Sequence, residues 1–229
     1  MGEFETIETG GATARVYVAG DVRPGAAGVV VLHPWWGLND DVIAYVERLA
    51  AEGYAIVAPD MFGGEVATGI DDADRLSSAM TEEVGKAITL AAVDRLAERL
   101  GPDAPLAALG FSFGAAWSIW APTERDRVLA TVVYYGTWVG SVLGRAKVPV
   151  LGHFAEDDPY EDAETVAALE QGLKDAGRDV TIHRYPGTGH WFAEPSRDAY
   201  RAAAADLAFE RTVAFLRSHL QAARPVGPS

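Results

Sequence analysis

A glycine-flanked serine is the part of the sequence with the clearest chemical potential. The segment from Leu109 to Ala115 reads Leu-Gly-Phe-Ser-Phe-Gly-Ala and places the pattern Gly-x-Ser-x-Gly around Ser112. In the turn called a nucleophile elbow, a strand runs directly into a helix and the central serine takes a strained backbone conformation. Gly110 and Gly114 suit this turn because they carry no side chain that could clash. The motif therefore predicts an exposed hydroxyl that can attack a carbonyl carbon.

A serine hydroxyl needs an imidazole base at neutral pH, and the sequence offers five histidines. His190 lies in the glycine-containing segment Pro186 to Phe192, which we expect to be a loop after the last strand. From such a loop the ring can face Ser112, so we predict His190 as the base. The other four are expected at strand ends, inside a strand or on a helix, as packed or surface histidines: His33, His153, His183 and His219.

The imidazole needs a carboxylate that fixes its tautomer, and three acidic residues stand next to one another in the sequence. Glu156, Asp157 and Asp158 follow an apolar strand predicted over residues 148–154. They therefore lie at the carboxyl edge of the sheet, where a site built around the elbow must be. The order of serine, acid and histidine along the chain is that of α/β-hydrolases. This reasoning leaves all three acids as candidates.

Two backbone N–H groups must also stabilise the negative oxygen that forms when a carbonyl is attacked. Phe113 directly follows the serine at the positive end of the predicted helix. The second donor normally comes from the loop after an early strand, which here is His33 to Asn39. Pro34 has no N–H, so Trp35 is the first residue able to donate. Trp35 and Trp36 cannot both point inward, and we expect one of them to line the substrate pocket.

Apolar strands alternate with amphipathic helices around these residues. Gly28–Leu32 is apolar at every position, as in a strand with helices on both faces. An alternating pattern around Gly10 and Gly11 predicts an antiparallel edge hairpin. The pattern as a whole predicts an α/β fold with a mostly parallel central sheet and helices on both faces. Further predicted strands cover residues 54–58, 105–109, 127–135, 148–154 and 180–185, and helices cover 40–52, 71–100 with a break near Thr81, 163–176 and 196–220.

Composition bounds the class of protein. The 229 residues, 49% of them hydrophobic, predict one domain over the whole chain with a frayed tail at 221–229. A net charge of −14 argues against nucleic acid and anionic membranes as partners and favours small molecules. The absence of cysteine excludes disulfides and thiolate sites.

No signal-peptide pattern or membrane-spanning apolar run is present, so we expect a cytoplasmic protein. The histidines show no paired ligand spacing, and we expect neither a metal nor a cofactor.

Several short motifs along the chain together resemble the dienelactone hydrolase family. They occur in register over nearly the whole sequence, in the right order and at the right distances. The motifs are His33-Pro-Trp-Trp-Gly-Leu-Asn, the strand between Gly53-Tyr54 and Pro59-Asp60, Gly110-Phe-Ser-Phe-Gly, Tyr134-Tyr135-Gly136, Asp158-Pro-Tyr and Gly189-His190-Trp-Phe.

The resemblance implies an α/β-hydrolase fold without a cap domain. It also implies that Ser112 is the nucleophile, that Asp158 and His190 complete a triad, and that Trp35 and Phe113 supply the oxyanion amides. The family's acid stands directly before a proline and an aromatic residue, which selects Asp158 among the three acids. The candidate pocket residues are Trp35, Trp36, Tyr135 and Trp191.

The sequence departs from the family pattern at three positions. The best-known members have a cysteine where this chain has Ser112 and a glutamate where it has Pro34. They also bind the substrate's carboxylate with arginines, one of which corresponds in position to Glu194. Arg75 is the only basic residue in the span where the other could fall. We therefore expect the charge of Glu194 to disfavour anionic substrates.

The combined prediction is a hydrolase that cleaves carboxylic ester or lactone bonds of small molecules through a Ser-His-Asp triad. Thioester or peptide hydrolysis would use the same residues and stays an alternative. A catalytically silent α/β-hydrolase scaffold that binds a ligand is the alternative from a different class, because a fold does not fix a function. The sequence does not determine the oligomeric state.

Overall fold

The described residues form one eight-stranded sheet with helices on both faces. The structure is a computed structural model, and it describes residues 1–138 and 142–220. The tail predicted at 221–229 lies outside the described residues. The strands are β1 (Glu3–Glu8), β2 (Thr13–Ala19), β3 (Gly28–Leu32), β4 (Ala55–Pro59), β5 (Leu106–Phe111), β6 (Val128–Tyr134), β7 (Val150–Asp157) and β8 (Val180–Gly189), and the helices are α1 (Asp40–Ala51), α2 (Ile70–Ala79), α3 (Glu82–Leu100), α4 (Phe113–Glu124), α5 (Ala163–Asp175) and α6 (Ala202–Leu220).

The strand order confirms the predicted mostly parallel sheet with an antiparallel hairpin at its edge. The order is β1-β2-β4-β3-β5-β6-β7-β8. Strands β1 and β2 are antiparallel to their neighbours, and every pair from β4 to β8 is parallel. β5 therefore lies in the interior of the sheet, and the residues that follow it stand at the middle of the carboxyl edge.

The apolar strands are buried because both of their faces carry helices. In β3, Val30 and Leu32 pack in one apolar cluster with side chains of α3 and α4, while Val29 and Val31 pack on the opposite face with side chains of α1 and α6. Alternation of side chains along an extended strand produces this division. A continuous apolar run is the pattern expected of such a strand, so the sheet interior could be located from the sequence.

Helix ends follow local capping signals. The side-chain oxygen of Asn39 accepts a hydrogen bond from the N–H of Val42 and begins α1. Thr81 does the same for Val84, which produces the predicted break between α2 and α3. These caps satisfy N–H groups that have no partner inside the helix.

Two predicted boundaries are wrong by four residues or more. β8 continues to Gly189, so most of the segment predicted as a glycine-rich loop is strand; after an irregularity in β7, Asp157 pairs with Gly189. α6 begins at Ala202 and not at residue 196, because the residues before it form successive turns, closed by hydrogen bonds such as that from the N–H of Arg197 to the carbonyl of Glu194. Both errors arise because pairing and turn formation depend on contacts that residue composition does not encode.

The residues that the structure describes form no cap domain over the carboxyl edge. Caps in α/β-hydrolases are usually inserted where this chain runs from β6 to β7, and the described residues of that connection contain only one short 3₁₀ turn, Leu143–Arg145. In the described parts of the chain, none of the helices combines the length and the apolar character needed to cross a membrane.

Candidate active site

Ser112 occupies a strained turn between β5 and α4. Its φ of 46° and ψ of −112° lie outside the regions that non-glycine residues favour. A Cβ atom on Gly110 would lie 2.2 Å from the carbonyl oxygen of Gly114, and one on Gly114 would lie 2.3 Å from the carbonyl oxygen of Leu32. Both glycines are thus required by close backbone contacts. The geometry is that of the predicted nucleophile elbow.

A chain of hydrogen bonds connects Ser112 to His190 and Asp158. The Oγ atom of Ser112 lies 2.9 Å from Nε2 of His190. On the other side of the ring, Nδ1 lies 2.7 Å from Oδ2 and 2.9 Å from Oδ1 of Asp158. The side chains of His190 and Asp158 are 4% and 1% exposed, which shields their hydrogen bond from water. In this arrangement the imidazole can accept the serine proton while the carboxylate holds its tautomer.

The three adjacent acids have different surroundings, and only Asp158 contacts His190 among them. Asp157 ends β7 and is exposed, while the carboxylate of Glu156 accepts a hydrogen bond from the N–H of Gly187. Oδ1 of Asp158 also accepts the backbone N–H groups of Tyr160 and Glu161. These bonds fix the carboxylate before any substrate arrives. Glu156 and Asp157 are both exposed to solvent, whereas the side chain of Asp158 is buried against His190.

The amides of Trp35 and Phe113 are free to donate. Within the described chain, neither N–H makes a hydrogen bond to a protein acceptor. The loop that contains Trp35 is a turn closed by the bond from the N–H of Gly37 to the carbonyl of Pro34, and the N–H of Ala67 donates to the carbonyl of Trp36. Such a rigid loop can present a donor to a developing oxyanion without reorganisation.

The other histidines have structural partners, as the sequence predicts. Buried His33 contacts the carbonyl of Pro34 through Nδ1 and accepts the N–H of Met61 through Nε2. Burial lowers its pKa, so the ring is neutral. His33 thereby ties the end of β3 to the loop after β4. Of the remaining three, His153 bonds Tyr185 and Thr212, His219 bonds the carbonyl of Phe215, and His183 stacks on His153.

The four predicted pocket residues fall into two groups. Trp35 and Trp191 are half-buried and remain candidates for contact with a substrate. Trp36 is only 3% exposed and Tyr135 is fully buried, so neither offers a surface in this state. They support the residues that are closer to the surface of the site. The Trp36 ring packs against both Trp35 and Trp191, and the Tyr135 ring packs against His190.

Residues 14–220 match the Dienelactone hydrolase family. The chain belongs to this family. It is 32% identical over 231 residues to "Protein usf" of Aquifex pyrophilus, covering 96% of this chain and 100% of that protein. It is 29% identical over 235 residues to a protein of Aquifex aeolicus (strain VF5) named "Putative carboxymethylenebutenolidase", covering 96% of this chain and 100% of that protein.

A solved structure supports the fold assignment. The chain superposes with a TM-score of 0.85 on the crystal structure of a "Putative Dienelactone Hydrolase" from Klebsiella pneumoniae subsp. pneumoniae MGH 78578. The alignment covers 96% of this chain and 99% of that chain at 22% sequence identity. The fold is therefore the α/β-hydrolase fold of the family.

At the position where the family pattern has an arginine, Glu194 is buried beneath the site. It is 2% exposed, and its Oε1 atom accepts a hydrogen bond of 3.0 Å from the hydroxyl of Tyr135. Oε2 has no hydrogen-bond partner in the described chain, and Nε of Arg197 lies 3.9 Å away. Burial raises the pKa of Glu194 to about 8. A carboxyl group in this position is uncharged at neutral pH.

The raised pKa removes the charge on which the predicted repulsion of anionic substrates by Glu194 was based, while the substrate preference itself stays a prediction. The expectation assumed an ionised carboxylate facing the pocket, whereas the group is neutral and turned toward Tyr135. Arg75, the other residue considered, is exposed and paired with Glu65 and Asp72 on the protein surface. The sequence could not reveal either arrangement, because both depend on contacts outside the motif.

The ionisation of Glu194 gives a testable dependence of stability on pH. Its pKa is about 8 in the folded protein against a reference value of 4.5, so between these values the folded state holds a proton that the unfolded chain has released. The free energy of unfolding should therefore fall across this range relative to that of Glu194→Gln, by on the order of 4 kcal/mol in total. Urea unfolding of both proteins at pH 4, 6 and 8.5 measures the difference.

The comparison at pH 4 is the internal control. Both side chains are neutral there, so the remaining difference reports packing and hydrogen bonding of the amide. A difference in stability that stays the same from pH 4 to pH 8.5 would contradict the neutral state of Glu194.

Two residues near the site were not singled out by the sequence analysis. The Glu161 carboxylate accepts the N–H and the hydroxyl of Thr137, so it joins the loop after β6 to the loop that carries Asp158. The Tyr160 ring lies 4.9 Å from the His190 ring, centre to centre. Tyr160 was visible as the last residue of Asp158-Pro-Tyr, but Glu161 gave no signal. Groups of three or more potential metal ligands are absent from the described residues.

Proposed function

We propose that this member of the dienelactone hydrolase family cleaves carboxylic ester or lactone bonds of small molecules. The observation that carries the proposal is the hydrogen-bonded chain from Ser112 Oγ through His190 to Asp158, with distances of 2.9 and 2.7 Å. Ser112 attacks the carbonyl carbon, His190 takes the proton and returns it to the leaving oxygen, and Asp158 stabilises the imidazolium. Water then hydrolyses the acyl-enzyme by the same proton transfers.

The strained elbow and the two free amides support the same chemistry. The N–H groups of Trp35 and Phe113 would stabilise the oxyanion of the tetrahedral intermediate. A thiol-protonation switch is impossible here, because Ser112 and Pro34 replace the cysteine and glutamate of the best-known family members. The serine is instead activated directly through its hydrogen bond to His190.

Labelling with a fluorophosphonate probe tests the proposal against the silent-scaffold alternative. An activated serine should react with the probe within minutes, and mass spectrometry should place the adduct on Ser112. His190→Ala should lose most of the labelling, because the general base is gone. A folded wild-type protein that neither labels nor hydrolyses any member of a panel of neutral esters, lactones and thioesters would be a binding scaffold. The same panel orders the three substrate classes by kcat/KM.

A further inference from the structure

Three aromatic side chains from three different loops cluster beside His190, and two of them contact its ring. The ring centre of Tyr160 lies 4.9 Å, and that of Trp191 5.0 Å, from the centre of the imidazole. Tyr160 and Trp191 are 5.4 Å apart, and Trp35 lies 5.9 Å from Tyr160 and 6.3 Å from Trp191. We call this set, Trp35, Tyr160 and Trp191, the aromatic platform.

The aromatic platform is open to solvent. Tyr160 is 50% exposed, and the two tryptophans are half-buried. Two of the rings contact the imidazole directly, and the His190 side chain beneath them is only 4% exposed. Clustered aromatic surface beside a reactive group is typical of a binding site and not of a solvated loop.

The position of the platform assigns it to one side of the substrate. In the proposed mechanism, Nε2 of His190 returns its proton to the oxygen of the leaving alcohol. That oxygen must come within hydrogen-bond distance of Nε2, so the carbon atoms attached to it must lie beside the rings around His190. The oxyanion amides of Trp35 and Phe113 hold the carbonyl oxygen of the acyl group. The acyl group and the alcohol of the ester therefore contact different parts of the site.

Charge narrows the class of alcohol. Among the described residues, no lysine or arginine lies over a ring of the platform; Arg197 stacks on Trp36 behind it, at 3.8 Å. A carboxylate on the alcohol would lose its hydration without gaining a cationic partner.

The platform rings meet at 48° and 68° for the pairs Tyr160–Trp191 and Trp35–Tyr160, so they present both faces and edges. A neutral aromatic ring pairs favourably with both.

We propose that the aromatic platform is the leaving-group subsite and that the preferred substrates are esters of uncharged aromatic alcohols. This inference rests on the proposed ester hydrolysis, but it concerns only which alcohol is preferred. The aromatic part stacks on Tyr160 and Trp191 while its oxygen receives the proton from His190.

Two matched pairs of esters test the subsite. Benzyl acetate and cyclohexylmethyl acetate are esters of primary alcohols of similar size and differ in the aromaticity of the alcohol. Their ratio of kcat/KM, divided by the ratio of their hydroxide-catalysed rates, should be about tenfold in favour of the benzyl ester, the value expected for one or two good aromatic contacts. Methyl phenylacetate and methyl cyclohexylacetate carry the same difference on the acyl side and should differ little.

Tyr160→Leu tests the platform itself. It should reduce the benzyl preference to about threefold or less, whereas Tyr160→Phe should keep it. The backbone N–H of residue 160 still donates to Asp158 in both variants, so the triad should persist. Phe4→Leu is the matched control, because Phe4 is also an exposed aromatic residue, 44% exposed, but lies on the edge strand β1.

The outcomes separate the two proposals. Hydrolysis that persists in Ser112→Ala, or a folded enzyme that neither labels with the fluorophosphonate nor hydrolyses any ester or lactone, would contradict the proposed function. Labelling of Ser112 without hydrolysis of any of the four esters would overturn the leaving-group subsite alone. Hydrolysis that depends on Ser112 but shows equal rates for the two acetates, or a benzyl preference unchanged in Tyr160→Leu, would overturn the leaving-group subsite alone. A clear preference on the acyl side would overturn its assignment to the alcohol.

Discussion

Replacing Ser112 by alanine is expected to lower kcat for ester hydrolysis by a factor on the order of 10⁶ without unfolding the protein. The hydroxyl is the proposed nucleophile, and its hydrogen bond joins it to His190. The turn itself depends on Gly110 and Gly114, which the substitution leaves in place. The measurement is the steady-state rate with the best neutral ester, together with the circular dichroism spectrum and melting temperature of the variant.

Ser118→Ala provides the matched control. Ser118 is a fully buried serine in α4, and its hydroxyl donates to the carbonyl of Ala115. Its loss should cost some stability but leave kcat within a few-fold of the wild-type value. Turnover by Ser112→Ala at the wild-type rate would disprove the proposed nucleophile and with it the whole mechanism.

Asp158→Asn should lower kcat by a factor on the order of 10⁴, while Asp157→Asn should have little effect. In the asparagine variant, the carbonyl oxygen can still accept the N–H groups of Tyr160 and Glu161, so the loop should keep its shape. The amide NH₂ then faces Nδ1 of His190 and favours the tautomer with its proton on Nε2. That tautomer cannot accept the proton of the serine hydroxyl.

Kinetics of the two variants, measured with one ester at one pH, make the comparison direct. Asp157 lies on the exposed end of β7, one residue from Asp158, and serves as the control for a change of charge at this loop. A large loss in Asp157→Asn with a small loss in Asp158→Asn would show that Asp157, and not Asp158, orients the imidazole. Full activity in both would place the orienting acid elsewhere.

The elbow could be predicted from sequence because its requirements are local. A positive φ at Ser112, and close backbone contacts at Gly110 and Gly114, follow from a turn of five residues. The interior strands could also be predicted, because burial on both faces demands an apolar side chain at every position of β3. Both inferences depend on steric and hydrophobic effects that act within a short stretch of chain.

The path of the chain into His190 could not be predicted in the same way. Glycines and a proline in the last part of β8 are typical of a loop, yet Gly189 pairs with Asp157 across the irregularity in β7. Trp191 then takes a φ of 65°, and its carbonyl accepts the N–H of Glu194. Pairing with a neighbouring strand decided the conformation against the local composition.

Glu194 is the clearest case of a role that depends on tertiary contacts. The sequence shows a carboxylate where the family pattern has an arginine, and it suggests a negative charge in the pocket. The fold buries the group and gives it Tyr135, 59 positions earlier in the chain, as a hydrogen-bond partner. Burial favours the neutral form of an acid, so the structure removes the negative charge that the sequence suggested.

The sequence by itself determined the fold class, the elbow around Ser112 and the order of the candidate triad residues, because short-range sterics and hydrophobic periodicity are encoded residue by residue. The family resemblance selected Asp158 and the tertiary structure places it against His190, whereas only the tertiary structure decided that Trp35, Tyr160 and Trp191 form one cluster beside the imidazole. These contacts join loops that follow β3, β7 and β8. The distances between side chains on these loops are set by the packing of the strands in the sheet. No single segment of the chain contains that information.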